Sequence, residues 1–173
     1  METVYMSQKN RKQKIKEPIR AIAVFNQGKI SGVVKFTEDP ANHNVMIDID
    51  IQGLAKNWLH GFHIHECGDM SEACESMCAH FNPTHKNHGG PTAKDRHAGD
   101  LGNLRTDSTG RAKYQTRDSI IKLSGTKANI IGRGLVIHAD EDDLGLTDHT
   151  DSLTTGNSGK RIACAVIGYA RQP

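Results

Sequence analysis

Nowhere in these 173 residues does an apolar run approach the length needed to cross a membrane. Met1 to Gln8 are polar and lack both the basic stretch and the apolar core of a secretory leader, so a cytoplasmic address is the default expectation. No internal repeat, low-complexity tract or dividing linker is present, and no amphipathic pattern sustains a helix beyond a turn or two. These absences leave a single domain of a length that can bury a hydrophobic core. The modest hydrophobic content, 36%, does not signal disorder. Many of the 17 glycines stand in turn contexts such as Asn26-Gln27-Gly28, Asp107-Ser108-Thr109-Gly110 and Gly156-Asn157-Ser158-Gly159, as in an all-β protein with many loops.

Charge is unevenly spread. Lys9, Arg11, Lys12, Lys14 and Lys16 against Glu2 and Glu17 make residues 1–18 a basic arm ended by Pro18, read as a solvated terminus ahead of the alternative of a contact with nucleic acid, acidic lipid or a partner, with residues 19–173 as the folded domain. Beyond the arm, β-rich runs are expected at Arg20 to Phe25, Ile30 to Thr37, Val45 to Ile51 and around Gly61 to Glu66. Others follow at Asp100 to Thr106, Ala112 to Thr116, Ser119 to Leu123, Gly134 to Ala139 and Arg161 to Ala170. About eight short strands separated by Gly, Asp and Asn suggest an antiparallel sandwich or a flattened Greek-key barrel. The pattern stops between Cys67 and Asp100, too long a gap for an ordinary connection, so something other than a strand ladder has to order it.

The chemistry concentrates at Gly61-Phe62-His63-Ile64-His65-Glu66. On a pleated strand, His63 and His65 share one face while Phe62 and Ile64 take the other, which makes a clamp for a metal ion. The long loop adds His80, His85, His88, His97 and Asp100, and a later strand adds His138, enough donors for two ions. Three histidines and an aspartate suit a closed tetrahedral zinc site, whose ion would order the loop. A nitrogen-only set with an open position suits copper. His85 competes with His88 for the zinc loop, while His43, His60 and His149 read as ordinary core or surface groups.

Five separated motifs, namely the strand around His63, His80-Phe81-Asn82-Pro83, His88-Gly89-Gly90-Pro91, Arg96-His97-Ala98-Gly99-Asp100-Leu101-Gly102-Asn103 and Gly156-Asn157-Ser158-Gly159-Lys160-Arg161-Ile162-Ala163-Cys164, resemble in order and spacing the copper,zinc superoxide dismutases of the eukaryotic cytosolic type. The resemblance covers Ile19 to Ala170. It implies an eight-stranded antiparallel Greek-key barrel, an immunoglobulin-like sandwich with long metal-binding and electrostatic loops. It also implies dismutation of superoxide to dioxygen and hydrogen peroxide, with one copper and one zinc ion per subunit. Copper would be held by His63, His65, His80 and His138, and zinc by His80, His88, His97 and Asp100, with His80 shared. Arg161 would hold the anion, and Asp142 would orient His63 and His88, with Asp140 and Asp143 as alternatives if the loop is shifted. Cys74 and Cys164 would form the intrasubunit disulfide despite a reducing compartment, and the family's cytosolic members are homodimers.

Some features depart from the family pattern. Cys67 stands beside Gly68, in the region of the family's dimer contact, where a free thiol and an intersubunit bridge are both open. Cys78 has no usual partner, and a Cys74–Cys78 thiol metal site competes weakly with the histidine sets. Thr154 replaces a lysine common in the substrate channel, which implies weaker electrostatic steering. Ile162 is compatible with copper loading without a chaperone. The basic arm and extra cysteines resemble versions from large DNA viruses, in which case the address is host cytoplasm or virion. The competing functional reading is a non-catalytic copper/zinc protein, such as a superoxide-dismutase-like copper chaperone or a metal buffer.

Overall fold

A computed structural model describes residues 17–171. The cations of the expected basic arm, Lys9 to Lys16, lie outside those residues. Among the described residues nine strands form, all paired antiparallel: β1 (Ile19–Gln27), β2 (Ile30–Glu38), β3 (Val45–Gln52), β4 (Leu59–His65), β5 (Asp100–Arg105), β6 (Ala112–Asp118), β7 (Gly134–His138), β8 (Arg161–Val166) and the short β9 (Gly168–Tyr169). One sheet has the order β6-β3-β2-β1-β9 and the other β5-β4-β7-β8. The architecture is the all-β, two-sheet immunoglobulin-like sandwich. Among the described residues, helix is confined to a single turn, α1 (Ser152–Thr155), and a 3-10 turn at Glu75–Met77.

Local sequence explains most boundaries. Gln27 pairs with Ile30, so Gly28 and Lys29 form a two-residue hairpin turn, and Gly28 takes the positive φ of 59° that such turns demand. In β3, Val45, Ile47, Ile49 and Ile51 are buried and the intervening residues are not, the period-2 pattern of a half-buried strand. These side chains join Phe25, Phe36, Phe62, Ile64, Leu104 and Leu135 in one core between the sheets.

Two expected strands differ. Ser119 to Leu123 is a bend, because the Asp118 carboxylate accepts the N–H groups of Ile120 and Ile121 and Glu38 accepts that of Leu123, replacing a ladder with side-chain bonds. The run from Arg161 to Ala170 breaks at Ile167, where the chain leaves one sheet for the other; Ile167 itself is fully buried.

The long loop is tied down from several sides. Phe81 and Ala98 insert into the main core, and the Arg133 guanidinium lies 3.5 Å from the centre of the Phe81 ring. Arg96, almost fully buried, donates to the Asp100 carbonyl and pairs with the equally buried Asp118 carboxylate. A buried ion pair is worth little beyond its own desolvation, but removing one partner strands the other charge. The substitution Asp118→Asn, which keeps the turn-forming acceptor, is therefore expected to cost about 3–5 kcal/mol in denaturant unfolding; a loss under about 1 kcal/mol would show that Arg96 finds compensation elsewhere.

Candidate metal centre

β4 is buried on both faces. Phe62 and Ile64 point into the sandwich core, whereas His63 and His65 point the other way and are covered by the long loop. Two bulges lie beside site histidines: the β4–β5 register shifts between Gly61 and His63, and the β7–β8 register between Ile137 and His138. Such irregularities re-aim side chains.

The donors fall into two groups, in each of which the candidate ligand atoms lie within 4.8 Å of one another: His63, His65, His80 and His138, and His80, His88, His97 and Asp100. In the first, every ring is pinned through one nitrogen. His63 Nε2 meets Asp142 Oδ2 at 2.8 Å, and His65 Nδ1 meets the Cys78 carbonyl at 2.9 Å. His80 Nδ1 meets Asp100 Oδ1 at 3.0 Å, and His138 Nδ1 meets the Gly159 carbonyl at 3.1 Å. The opposite nitrogens, His63 Nδ1, His65 Nε2, His80 Nε2 and His138 Nε2, are buried with no hydrogen-bond partner among the described residues. Native proteins rarely leave buried polar atoms orphaned, and four converging ones require a ligand.

Burial, reinforced by the neighbouring imidazoles, drives the pKa of His63 down to about 3, of His65 to about 2 and of His138 to about 4, and it lowers that of His80. Neutral imidazoles with their other nitrogens fixed present lone pairs, the form that binds copper or zinc.

In the second group, His80 Nδ1, His88 Nδ1 and His97 Nδ1 lie 3.0, 3.0 and 3.1 Å from the single oxygen Asp100 Oδ1. His88 Nδ1 is not aligned to hydrogen-bond there despite its closeness. Ligands about 2.0–2.1 Å from a tetrahedral zinc ion lie about 3.3 Å apart, close to these three nitrogen–oxygen separations. Asp100 Oδ2 accepts the Gly89 and His97 N–H groups. Although burial opposes its charge, the three imidazoles set against it hold Asp100 far below the usual carboxylate range. The His88 ring is also disfavoured as a cation by burial, yet Asp100 and Asp142 outweigh that and push it up to about 9.

Asp142 joins the two groups. Its oxygens lie 2.8 Å from His63 Nε2 and 2.8 Å from His88 Nε2, and its side chain is fully buried. The Leu144 N–H donates to Oδ1. Asp143 instead accepts from Thr147, Ser152 and Gly145, while Asp140 lies against Gly159. His85 is exposed and belongs to neither donor group, His43 pairs with Glu38, and His60 is a buried histidine whose Nδ1–H donates to the His138 carbonyl. Arg161 is clamped by three carbonyls, donating from Nη1 to Cys74 and Glu75 and from Nη2 to Cys78. The Cys74–Cys164 disulfide ties that segment to β8.

Sequence reasoning did not single out two contributors. Asn103 forms a reciprocal pair with Asp142, its Nδ2 donating to the Asp142 carbonyl and its Oδ1 accepting the Asp142 N–H, both at 2.8 Å. Gly156, at φ 68°, leaves room that a Cβ would fill 2.1 Å from Asp142 Oδ1 and 2.5 Å from His88 Nε2. Both lie in stretches already suggestive as motifs, but only the folded geometry brings them to the carboxylate.

The family model for copper/zinc superoxide dismutase matches residues 30–167. The chain belongs to the copper/zinc superoxide dismutase family. The chain is 55% identical to a Cu-Zn superoxide dismutase of Paramecium bursaria Chlorella virus 1, over 91% of this chain and 82% of the viral protein. It is 51% identical to the Yarrowia lipolytica enzyme, over 87% and 97% of the two chains, and 50% identical to an extracellular Cu-Zn superoxide dismutase of Drosophila melanogaster, over 87% and 86%. A crystal structure of the clock protein EA4 superposes with a TM-score of 0.85 at 44% identity, covering 91% of this chain and 99% of that one. This dismutase is therefore an enzyme with copper- and zinc-binding sites, and its substrate is superoxide. The non-catalytic reading is set aside.

Gly156→Ala should crowd the Asp142 bridge and weaken metal retention about 10–100-fold, the effect of losing an outer-sphere partner. Gly132→Ala, also at positive φ but with open space around the Cβ, should carry only the backbone cost. Equal metal release to a chelator in the two variants would contradict the steric argument.

Proposed function

We propose that His63, His65, His80 and His138 hold the copper ion of this dismutase, that His80, His88, His97 and Asp100 hold its zinc ion, and that Arg161 binds superoxide beside the copper ligands. The observation that carries this reading is the convergence of four buried, orphaned imidazole nitrogens in the first group. Copper, when bound, supplies the one-electron couple that oxidises one superoxide to dioxygen and reduces the next to hydrogen peroxide, while zinc supplies a fixed structural charge.

The remaining work falls to side chains. Asp142 fixes which nitrogen of His63 and of His88 faces inward, and the Cys78 and Gly159 carbonyls do the same for His65 and His138. His80 has its Nδ1 turned to Asp100 and its Nε2 to the other group, so Nε2 is the atom at which a proton can be held for delivery to reduced oxygen. Arg161 acts as a fixed cation: its charge is felt at both His65 and His138, which supports its place beside them. Three carbonyls hold its fork, and its remaining N–H groups have no protein partner among the described residues. A planar, permanently charged group held this way suits a small anion.

His138→Ala should abolish dismutation while leaving the sandwich folded; retained activity in a copper-loaded sample would sink the copper assignment. Arg161→Lys keeps the charge but not the fork and should lower kcat/KM about ten- to hundredfold, the worth of a charge-assisted hydrogen bond.

We further propose that Thr154 weakens the steering of superoxide. It is exposed on α1, where a lysine would add a positive charge to the channel wall. Thr154→Lys should raise kcat/KM at low salt and steepen its fall with ionic strength. An unchanged salt profile would exclude a role for this position.

A homodimer is also proposed. Val166, Met70 and Tyr169 are exposed apolar side chains, and Val166 approaches Gly68. Sedimentation should give a dimer for the native chain and a monomer for Val166→Lys; a monomeric native chain would refute the proposal.

A further inference from the structure

Two cysteines take part neither in the disulfide nor in either donor group: Cys67, half-buried, and Cys78, exposed. The backbone sets them opposite one another. His65 and His80 form an antiparallel bridge flanked by bonds from Phe81 N–H to the Ile64 carbonyl and from Glu66 N–H to the Ala79 carbonyl. Beyond that bridge the register slips by one, the Cys67 N–H bonding to the Met77 carbonyl, so the two backbones stay paired as far as Cys67 and Cys78. Residues facing one another across paired antiparallel backbones have Cα atoms about 4.5–5.5 Å apart, within the roughly 4.4–6.8 Å that a disulfide spans.

We propose that Cys67 and Cys78 form a second intrasubunit disulfide, closed by hydrogen peroxide, the product of the chain's own reaction. The exposed Cys78 sulfur attacks one peroxide oxygen. An S–O bond forms, the O–O bond breaks, and hydroxide leaves with the thiol proton as water. The Cys67 sulfur then attacks the Cys78 sulfenic sulfur, forming the S–S bond as the S–O bond breaks and a second water departs. Two thiols lose two electrons, and one peroxide becomes two waters. The site matters because the Cys78 carbonyl accepts from both His65 Nδ1 and Arg161 Nη2. Its residue has a positive φ of 64°, a strained conformation for a side chain with a Cβ. The bridge would fasten this peptide to the end of β4.

The test uses the full-length, metal-loaded chain with Cys67 and Cys78 as thiols, treated with hydrogen peroxide, alkylated and cleaved at glutamate. Cleavage after Glu66, Glu72 and Glu75 puts Cys67, Cys74 and Cys78 on separate fragments. The expected product joins the Cys67 and Cys78 fragments, with both thiols lost to alkylation and the Cys74–Cys164 link intact. Amide exchange at Cys78 and Ala79 should slow about tenfold in the bridged form. Cys67→Ser and Cys67→Ala should leave the dismutation rate unchanged, form no link, and leave Cys78 oxidised alone. The proposal is overturned if the native chain gives a link between Cys67 residues of two subunits or a Cys78–Cys164 exchange. It is equally overturned if Cys78 is oxidised with Cys67 still alkylatable, if no thiol reacts, or if exchange is not slowed.

Discussion

The carboxylate of Asp142 is the constraint on which the rest of the site depends. It sits fully buried between His63, carried by a strand, and His88, carried by a loop, bonding one ring through each oxygen. A buried carboxylate without partners would take up a proton. Burial does oppose its charge, but the bonds from His63 and His88 more than offset it and hold Asp142 well below the usual carboxylate range. Remaining an acceptor, it fixes the inward nitrogen of each ring at once. The reciprocal pair with Asn103 and the N–H of Leu144 then determine where the carboxylate stands. Asn103 belongs to β5, so a regular strand positions a residue of an irregular loop.

That arrangement explains why β4 is buried on both faces although its sheet has a solvent side. One face completes the hydrophobic core; the other is covered by a loop whose own polar groups need partners. Arg96 and Asp118 neutralise each other beneath it, Phe81 and Ala98 anchor it in the core, and Asp100 collects three imidazoles and two backbone N–H groups. Ordering a loop of this length costs conformational entropy, which these contacts oppose. A divalent ion among the donors of the second group would supply more, because its binding free energy is also folding free energy.

Much of this was legible in the chain. Period-2 alternation marked β3, and the His-x-His spacing within an apolar run marked β4, because both depend only on the pleat. The two donor groups followed from residue types and from the resemblance. Less visible were features set by side chains reaching across the fold. Asp118 and Glu38 bond backbone N–H groups and turn an apparently β-rich run after β6 into a bend. Ile167 looks like one more strand residue, yet its role is to carry the chain between sheets. Gly156 matters for the Cβ it lacks beside Asp142, a relation no local pattern encodes.

Arg161 and the segment from Cys74 to Cys78 restrain one another. The disulfide joins that segment to β8, and Arg161, on the same strand, donates to three of its carbonyls. Gln27 closes the arrangement from the other sheet, its Oε1 accepting the Cys164 N–H at 2.7 Å and its Nε2 lying 3.4 Å from Cys164 Sγ. The covalent bond limits how far the segment can drift, and the guanidinium chooses its orientation within that limit. Because the Cys78 carbonyl also bonds His65, a shift of this segment would misalign the bound cation and an imidazole together. The proposed anion-holding group and a candidate copper ligand thus share one peptide, which would tie the geometry of substrate binding to that of the metal site.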